Sequence, residues 1–498
     1  MALLLPLLVV VLVLLAVLAA ASTLRYGTWR KKGVPHLTPV PLFGNSMLAA
    51  FQREPIFGML DRVYRHFPGQ PYVGLYAGPS PVLLVKSLDA VKRITIKDFH
   101  LFPNHKLSPE PHYDKMFSKF LFCMMDDEWK DMRVRVSPAF SSGRLKAMFP
   151  SIRDKGEQLV ECIRGNVGPD GVLSTNGPCT RYGVDVIASC AFGIEAWSMR
   201  TKEPSPYMNA VSESFRFEFA EGLSTFALLF VPALYHALKV PLLKEWRSTL
   251  LKDLLRESSQ LREREPPASR DIFDNLLSLK RSGDVSQHLF EAQVMTMQVA
   301  GSETTAKTIM MALWMLARHP ECQDKLRAEL RAAQTADGGN ITYETLHDLK
   351  YLDMVFKETL RLWPVMPWLD RVATQDYVLP DSDIKIEKGT VVMVPVYSIH
   401  RDPEHYADPD KFDPERWAPE NADNINKLAY LPFGSGPRTC IGSRFADMNI
   451  KSALLSTILN FRVSPCAETP KSEAELRVCP RSFLVTVLND MPLHFQPL

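Results

Sequence analysis

One cysteine, Cys440, stands in a setting suited to a covered, reactive sulfur. It lies in the run Phe433-Gly434-Ser435-Gly436-Pro437-Arg438-Thr439-Cys440-Ile441-Gly442. A thiolate in a covered site stays ionised beside positive charge or hydrogen-bond donors, which an arginine and bare backbone turns supply. Glycines also let a large flat ligand approach the backbone closely. The alternative is a structural cysteine beside a glycine turn. Five fixed positions within ten residues (Phe433, Gly436, Arg438, Cys440, Gly442) favour a ligand.

A second chemical pair sits in Ala300-Gly301-Ser302-Glu303-Thr304-Thr305, at the centre of an apolar stretch running from His288 to Arg318. That stretch reads as one helix of ~30 residues, ~45 Å long. Glycine and serine at its centre are expected to loosen it and let a hydroxyl bond into its own ladder. An acid beside a threonine in an apolar helix costs energy unless it serves something. Proton delivery into a dry pocket is such a service; a capped helix break is the alternative. Trp129 and Arg133, four apart, share a helix face, as a stack or as a pair of ligands. Glu358 and Arg361, three apart, would contribute only ~0.3 kcal/mol on an exposed helix.

Together these motifs resemble the cytochrome P-450 family, in an order that covers residues 129 to 442. The resemblance implies a triangular helical prism with small sheets around haem b, with Cys440 as axial ligand and Phe433 and Arg438 in the haem-binding loop. Trp129 and Arg133 resemble the propionate-binding helix, and Arg371 occupies another propionate position. Thr304 would carry the proton-relay hydroxyl and Glu303 its acidic neighbour. Glu358 and Arg361, followed 53 residues later by Pro414-Glu415-Arg416-Trp417, resemble an ion network in which Arg416 joins the pair and fixes the thiolate loop. Family members often carry Phe where this chain has Trp417. By the same matching, Phe117, Phe120, Ala300, Val365, Met366, Leu369, Phe483 and Leu484 line an apolar substrate pocket.

The elements that must position these groups are mainly helical, with a minor β part. Helical periodicity covers residues 185–192, 242–264 and 343–361. Residues 71–76 and 81–85, flanking Ala77-Gly78-Pro79-Ser80, read as a hairpin. Residues 223–235 read as core, a channel roof or an interfacial segment. Residues 2–24 carry no charge, against the ~20 apolar residues that cross a bilayer. Arg25, Arg30, Lys31 and Lys32 follow, which predicts an uncleaved anchor (residues 1–24) with the rest on the cytosolic side. A signal peptide cleaved near Ala19-Ala20-Ala21 is the alternative. Gly33, Pro35, Pro39, Pro41 and Gly44 make a stiff segment that cannot be helix, within a basic and proline-rich hinge over residues 25–45, leaving 46–498 as the catalytic domain.

With 58 basic and 56 acidic residues the net charge is +2, which argues against a nucleic-acid binder. The eight cysteines show no Cys-x-x-Cys pair and read as reduced thiols. The resemblance is to microsomal members, in the branch of vertebrate drug-metabolising and insect detoxifying enzymes. It implies a monooxygenase of the endoplasmic reticulum membrane acting on a lipophilic xenobiotic, steroid or fatty-acid-like molecule. Electrons would come from NADPH–cytochrome P-450 reductase (FAD/FMN), with cytochrome b5 as a further candidate donor. Lys130, Arg135 and Lys427 are expected on the reductase-facing side. Two alternatives stand: a haem-thiolate isomerase or dehydratase of lipid peroxides, and a non-catalytic haem or lipid binder. The intact Glu303–Thr304 pair favours monooxygenation.

Overall fold

The computed structural model describes Ala20 and residues 22–201, 203–212, 217–264 and 271–498. The expected anchor therefore lies outside the described residues, apart from Ala20 and residues 22–24. Among the described residues no helix is long and apolar enough to cross a membrane.

Helices dominate. Those that build the site are α1 (Asp126–Val136), α2 (Ser142–Asn166), α3 (Asn176–Phe192), α4 (Phe219–Phe230), α5 (Gln287–Arg318), α6 (Lys350–Leu362) and α7 (Ser443–Asn460). The 32-residue α5 is buried along most of its length, and α3, α6 and α7 pack on it. A helix apolar on all sides belongs in the middle of a core. It begins with the Ser286 hydroxyl accepting from the Leu289 N–H and stops where Pro320 opens the next helix. It runs unbroken through Gly301 and Ser302, contrary to the expected loosening. A Cβ on Gly301 would lie 2.7 Å from Ile187 Cδ1, and one on Gly183 would lie 2.4 Å from Ser302 O. The glycines let α3 and α5 cross closely; they do not bend α5.

Among the described residues, three small sheets flank the helices. The first has the order β1 (Tyr72–Ala77), β2 (Ser80–Val85), β7 (Val391–Val394), β4 (Leu369–Val372). The expected hairpin is β1–β2, with Gly78 at φ +57° in its turn. β7 pairs parallel to β2 and antiparallel to β4, which fixes Leu369 opposite Val394 and Arg371 opposite Val392. The second sheet joins β3 (Val172–Ser174), β9 (Pro492–Pro497) and β8 (Phe461–Pro465); the third pairs β5 (Tyr377–Val378) with β6 (Lys385–Ile386).

Two helical expectations divide. The 343–361 stretch is two helices, Tyr343–Asp348 and α6, because Leu349 leaves helical geometry and the Glu329 carboxylate accepts the Tyr351 and Leu352 N–H groups. Residues 223–235 are split at Val231, ahead of Pro232. Phe226, Leu228, Leu229 and Phe230 are buried there, as the core reading expects, while Pro232 and Ala233 are exposed.

The stretch from Gly33 to Gly44 holds no helix, yet it is docked along the first sheet. Trp29 is 1% exposed, donates its indole N–H to Leu75 O (3.0 Å), and covers Gly74, where a Cβ would lie 2.3 Å from the indole ring. The Gly74 N–H donates to Pro35 O at 2.8 Å. Trp29→Ala is expected to lower stability by ~3–5 kcal/mol, the usual loss for a buried large aromatic, read as a lower urea midpoint of the full-length protein.

Candidate active site

The loop that carries Cys440 is shaped by its glycines unequally. Gly434 and Gly436 sit at φ +77° and +73°, where a side chain is strained, and a Cβ on Gly436 would lie 1.8 Å from Thr95 O. Gly442 has an ordinary φ of −91°, and its contribution is a backbone N–H directed at the Cys440 sulfur. The Cys440 N–H donates to Phe433 O (2.8 Å), which closes the loop. Cys440 is exposed although it lies deep within the protein, so the sulfur opens into an interior chamber. Burial pushes its thiol upward, while the Gly442 N–H and Arg133 pull the other way. The other seven cysteines are also free. Burial drives Cys179 and Cys190 up to about 12.

Around this chamber stand cations with incomplete partners. Arg438 donates to Pro103 O and Met124 O (both 2.8 Å) and lies 3.8 Å over the Trp129 ring, while its buried Nη1 has no hydrogen-bond partner. Arg371 is 2% exposed; Nη1 donates to Asp370 O (2.7 Å), and its buried Nε is likewise unpartnered. Burial lowers Arg371 to about 10; burial and the Arg371 charge lower Arg438 to about 9. Both remain cationic at neutral pH, and such donors are costly to leave unmatched. Two buried guanidinium donors beside an accessible interior thiol fit a ligand with two carboxylates and a metal centre, as in haem. Arg133 donates Nη2 to Thr439 O at 2.9 Å, bracing the loop directly, and Trp129 contributes its face to Arg438.

Sequence reading missed His105. Burial and the nearby Arg371 and Arg438 charges lower its pKa, so the neutral ring donates Nδ1–H to Asp370 Oδ1 (3.1 Å) beside Arg371. Burial would raise the Asp370 carboxyl, but His105, the Lys106 N–H and Arg371 outweigh it and hold it at about 2. A lone histidine in a loop carries no spacing signal.

On α5, the Thr304 hydroxyl donates to Ala300 O at 2.6 Å. Glu303 Oε1 accepts from Lys307 Nζ (2.6 Å), which also donates to Thr486 Oγ1 (2.6 Å). The acid is thus tied to the turn that carries Phe483 and Leu484. Phe117 and Phe120 are buried and join Phe122 in an aromatic cluster with ring centroids 5.0–6.0 Å apart. Leu369 and Gly434 meet, since a Cβ there would be 3.5 Å from Leu369 Cδ2. Val365 O accepts from the Val485 N–H at 2.9 Å. Ala300, Val365 and Met366 are half-buried.

Behind the loop, Glu358 and Arg361 are both 0% exposed and pair bidentately, Nε–Oε2 at 2.9 Å and Nη2–Oε1 at 2.8 Å. Arg361 also donates to His400 O, Pro409 O and Lys411 O. Arg416 approaches Glu358 at 3.5 Å, and its stronger bonds go to Ala407 O and Asp408 O. The Trp417 indole N–H donates to Glu358 Oε2 at 2.9 Å. Tryptophan at this position is therefore a bonded member of the network, where the sequence reading gave it no role. Trp417→Phe is expected to cost ~1.5–3 kcal/mol, the range for hydrogen bonds to charged groups, seen as a lower urea midpoint with the haem-loop residues unchanged.

His400, also 0% exposed, receives the Leu431 N–H on Nε2 (2.8 Å) and faces Arg361 O with Nδ1 (3.0 Å). A backbone N–H can only donate, so the ring carries its proton on Nδ1. Burial, with the Arg361 and Arg401 charges, pushes His400 down to about 3, against the opposing pull of backbone carbonyls. Above pH ~6.5 the ring is neutral folded or unfolded, and its contribution to stability is fully present. Between pH ~6.5 and about 3 the unfolded chain takes up a proton that the folded protein refuses. Stability should therefore decline with acidification by up to ~1.4 kcal/mol per pH unit from this group. Urea titrations at pH 7, 6 and 5 should show a shallower decline in His400→Gln than in the unsubstituted protein.

Comparison with known proteins agrees with this geometry. The sequence profile of the family Cytochrome P450 matches residues 34–487. Cytochrome P450 6j1 of Blattella germanica is 33% identical over 474 residues, covering 95% of this chain and 94% of the relative. Cytochrome P450 6a2 of Drosophila melanogaster is 34% identical over 512 residues, covering 97% and 99%. Cytochrome P450 9e2 of Blattella germanica is 31% identical, covering 93% of each. A profile match over nearly the whole chain and relatives of full length leave one conclusion: the chain belongs to the cytochrome P450 family of haem-thiolate monooxygenases.

Proposed function

We propose that this protein is a membrane-attached enzyme that inserts one oxygen atom from dioxygen into a lipophilic organic molecule, using electrons passed from NADPH by a FAD/FMN reductase. The observation that carries the reading is the exposed thiol of Cys440 deep in the protein, together with unpartnered buried donors of Arg371 and Arg438 and the Arg133 charge that acts on the sulfur. Haem b, when bound, supplies the oxygen-activating chemistry, to which an axial thiolate lends electron density. Cys440 would hold the iron, with its proton displaced by the metal. Arg371 and Arg438, supported by Arg133, Trp129 and His105, would take the two propionates. Glu358, Arg361 and Arg416 would stiffen the backing of the loop.

On the other side, Phe117, Phe120, Ala300, Val365, Met366, Leu369, Phe483 and Leu484 would exclude water and admit apolar substrates. Thr304 would pass a proton into that dry space, which requires its O–H to turn from Ala300 O. Glu303 would be the neighbouring acid, held by Lys307 until it is needed. Exposed Lys130 and Lys427 support a reductase-facing surface on the thiolate side, with cytochrome b5 as a second candidate donor. Arg135, expected on the same side, pairs with Asp131 (2.8 Å) and Asp284 (3.0 Å) in the free protein. Exposed Leu24, Met47, Leu48, Phe51 and Phe219 support attachment to the endoplasmic reticulum membrane beside the start of the described chain.

Thr304→Ala tests the oxygen-insertion reading. Haem content and substrate binding should persist, NADPH consumption should continue, and product formed per NADPH should fall. The fall should be smaller than the ~10²–10⁴ typical of acid–base assistance, because water replaces part of the lost hydroxyl. Both quantities are measured in one reaction. Unchanged product per NADPH removes Thr304 from the mechanism, and turnover that needs neither NADPH nor dioxygen transfers the protein to the isomerase class.

A further inference from the structure

The buried ion network and the Cys440 loop do not touch through Arg416, the residue expected to connect them. Arg416 bonds Ala407 O and Asp408 O. The contact that does connect them runs through a histidine that no motif singled out. Arg361 donates Nη1 to His400 O (2.7 Å), and the His400 ring returns Nδ1–H to Arg361 O (3.0 Å). The opposite edge of the same ring accepts the Leu431 N–H at 2.8 Å. From there the bonding continues without interruption: Gly434 N–H to Leu431 O (3.0 Å), then Cys440 N–H to Phe433 O (2.8 Å).

The ring is held in one orientation. Tyr430 stacks on it at 18° with centroids 5.6 Å apart, and Tyr430 in turn contacts Trp417 at 4.5 Å. The Tyr430 hydroxyl donates to Lys357 O at 3.2 Å, a second tie from the same turn to α6. A neutral imidazole is suited to this place because it offers a donor and an acceptor on opposite edges of a rigid plane.

We propose that His400 is a positioning residue for the haem thiolate: with its carbonyl held by Arg361, its ring Nε2 accepts the Leu431 N–H, fixes the Leu431–Phe433 lead-in and so sets where Cys440 presents its sulfur. The proposal rests on the reading of Cys440 as the haem ligand. It assigns His400 no contact with haem or substrate.

The two edges can be tested separately. Asparagine places an amide near the ring's Nδ1 and keeps a donor for Arg361 O, but leaves the Leu431 N–H without its acceptor. Glutamine reaches the Nε2 position and keeps that acceptor, but loses the donor. In the haem-loaded protein, His400→Asn is expected to lower the ratio of the red-shifted to the unshifted carbon-monoxide band by roughly tenfold, the scale of one buried unpaired N–H. His400→Gln should hold the ratio near that of the unsubstituted protein. Urea midpoints report stability alongside. Equal losses of the band in both variants, following their midpoints, would reduce His400 to a structural residue and overturn the proposal, as would a full red-shifted band in His400→Asn.

Hydrogen–deuterium exchange on the unsubstituted haem-loaded protein gives a readout that does not depend on either variant folding. The Leu431 amide should be protected as strongly as the amides of α6. Exchange at the rate of exposed loops means that the Leu431–His400 bond does not hold, and the proposal fails. A Cys440→Ser control separates the underlying reading: a red-shifted band that survives it refutes Cys440 as ligand, while the exchange result still decides the His400 contact.

Discussion

A carboxylate with no exposure is the constraint on which the rest of the site depends. Glu358 lies at 0% exposure, where an unmatched charge would cost several kcal/mol. Its oxygens are met by Arg361 Nε and Nη2, the Asp413 N–H, the Trp417 indole N–H and, more distantly, Arg416. Arg361 is satisfied in turn by carbonyls of His400, Pro409 and Lys411. Buried ion pairs of this kind contribute little net stability compared with apolar packing. What this one specifies is geometry: backbone from residues 400 to 417 must converge on one helix turn of α6 before either charge is tolerable.

The chamber in front of Cys440 shows the opposite arrangement. Arg371, Arg438 and Arg133 gather there with Asp370 as a nearby carboxylate; burial depresses Arg371, and burial together with the Arg371 charge depresses Arg438. The repulsion is retained in the folded chain and would be relieved by an anionic ligand. A group that binds only the folded state stabilises it by mass action, so haem acquisition and folding should be linked through these guanidinium groups. Glu358 and Arg361 are thus matched by protein groups, whereas the buried Nε of Arg371 and Nη1 of Arg438 are not.

Motifs were legible where chemistry fixes residue types at short spacing. The Cys440 loop, the Glu303–Thr304 pair and Glu358–Arg361 each fit within ten residues, and the β1–β2 hairpin announced itself through Gly78 and Pro79. What stayed illegible depends on partners distant along the chain. His400 acts through Leu431 and Arg361, His105 through Asp370, and Trp417 through Glu358. In the two histidine cases a bond to backbone or to a remote side chain leaves no pattern of residue types. Gly301 was visible but misread, because a glycine needed for a helix crossing looks the same in sequence as one needed for a bend. The break at Leu349 was hidden for a related reason, since its cap is the remote Glu329.

The segment between residues 102 and 124, which carries Phe117 and Phe120, contains no long helix. It is fastened by side chains reaching backbone: Asp114 accepts the Leu242, Leu243 and Phe117 N–H groups, Gln293 donates to Lys119 O, and Asn104 bonds the start of α1. Arg438, in the Cys440 turn, staples both ends of the segment by donating to Pro103 O and Met124 O. Residues that share one hydrogen-bond network couple energetically. Changes in the aromatic cluster of Phe117, Phe120 and Phe122 that shift either end of the segment are therefore felt at Arg438, whereas the Glu358 network behind the loop shares none of these bonds.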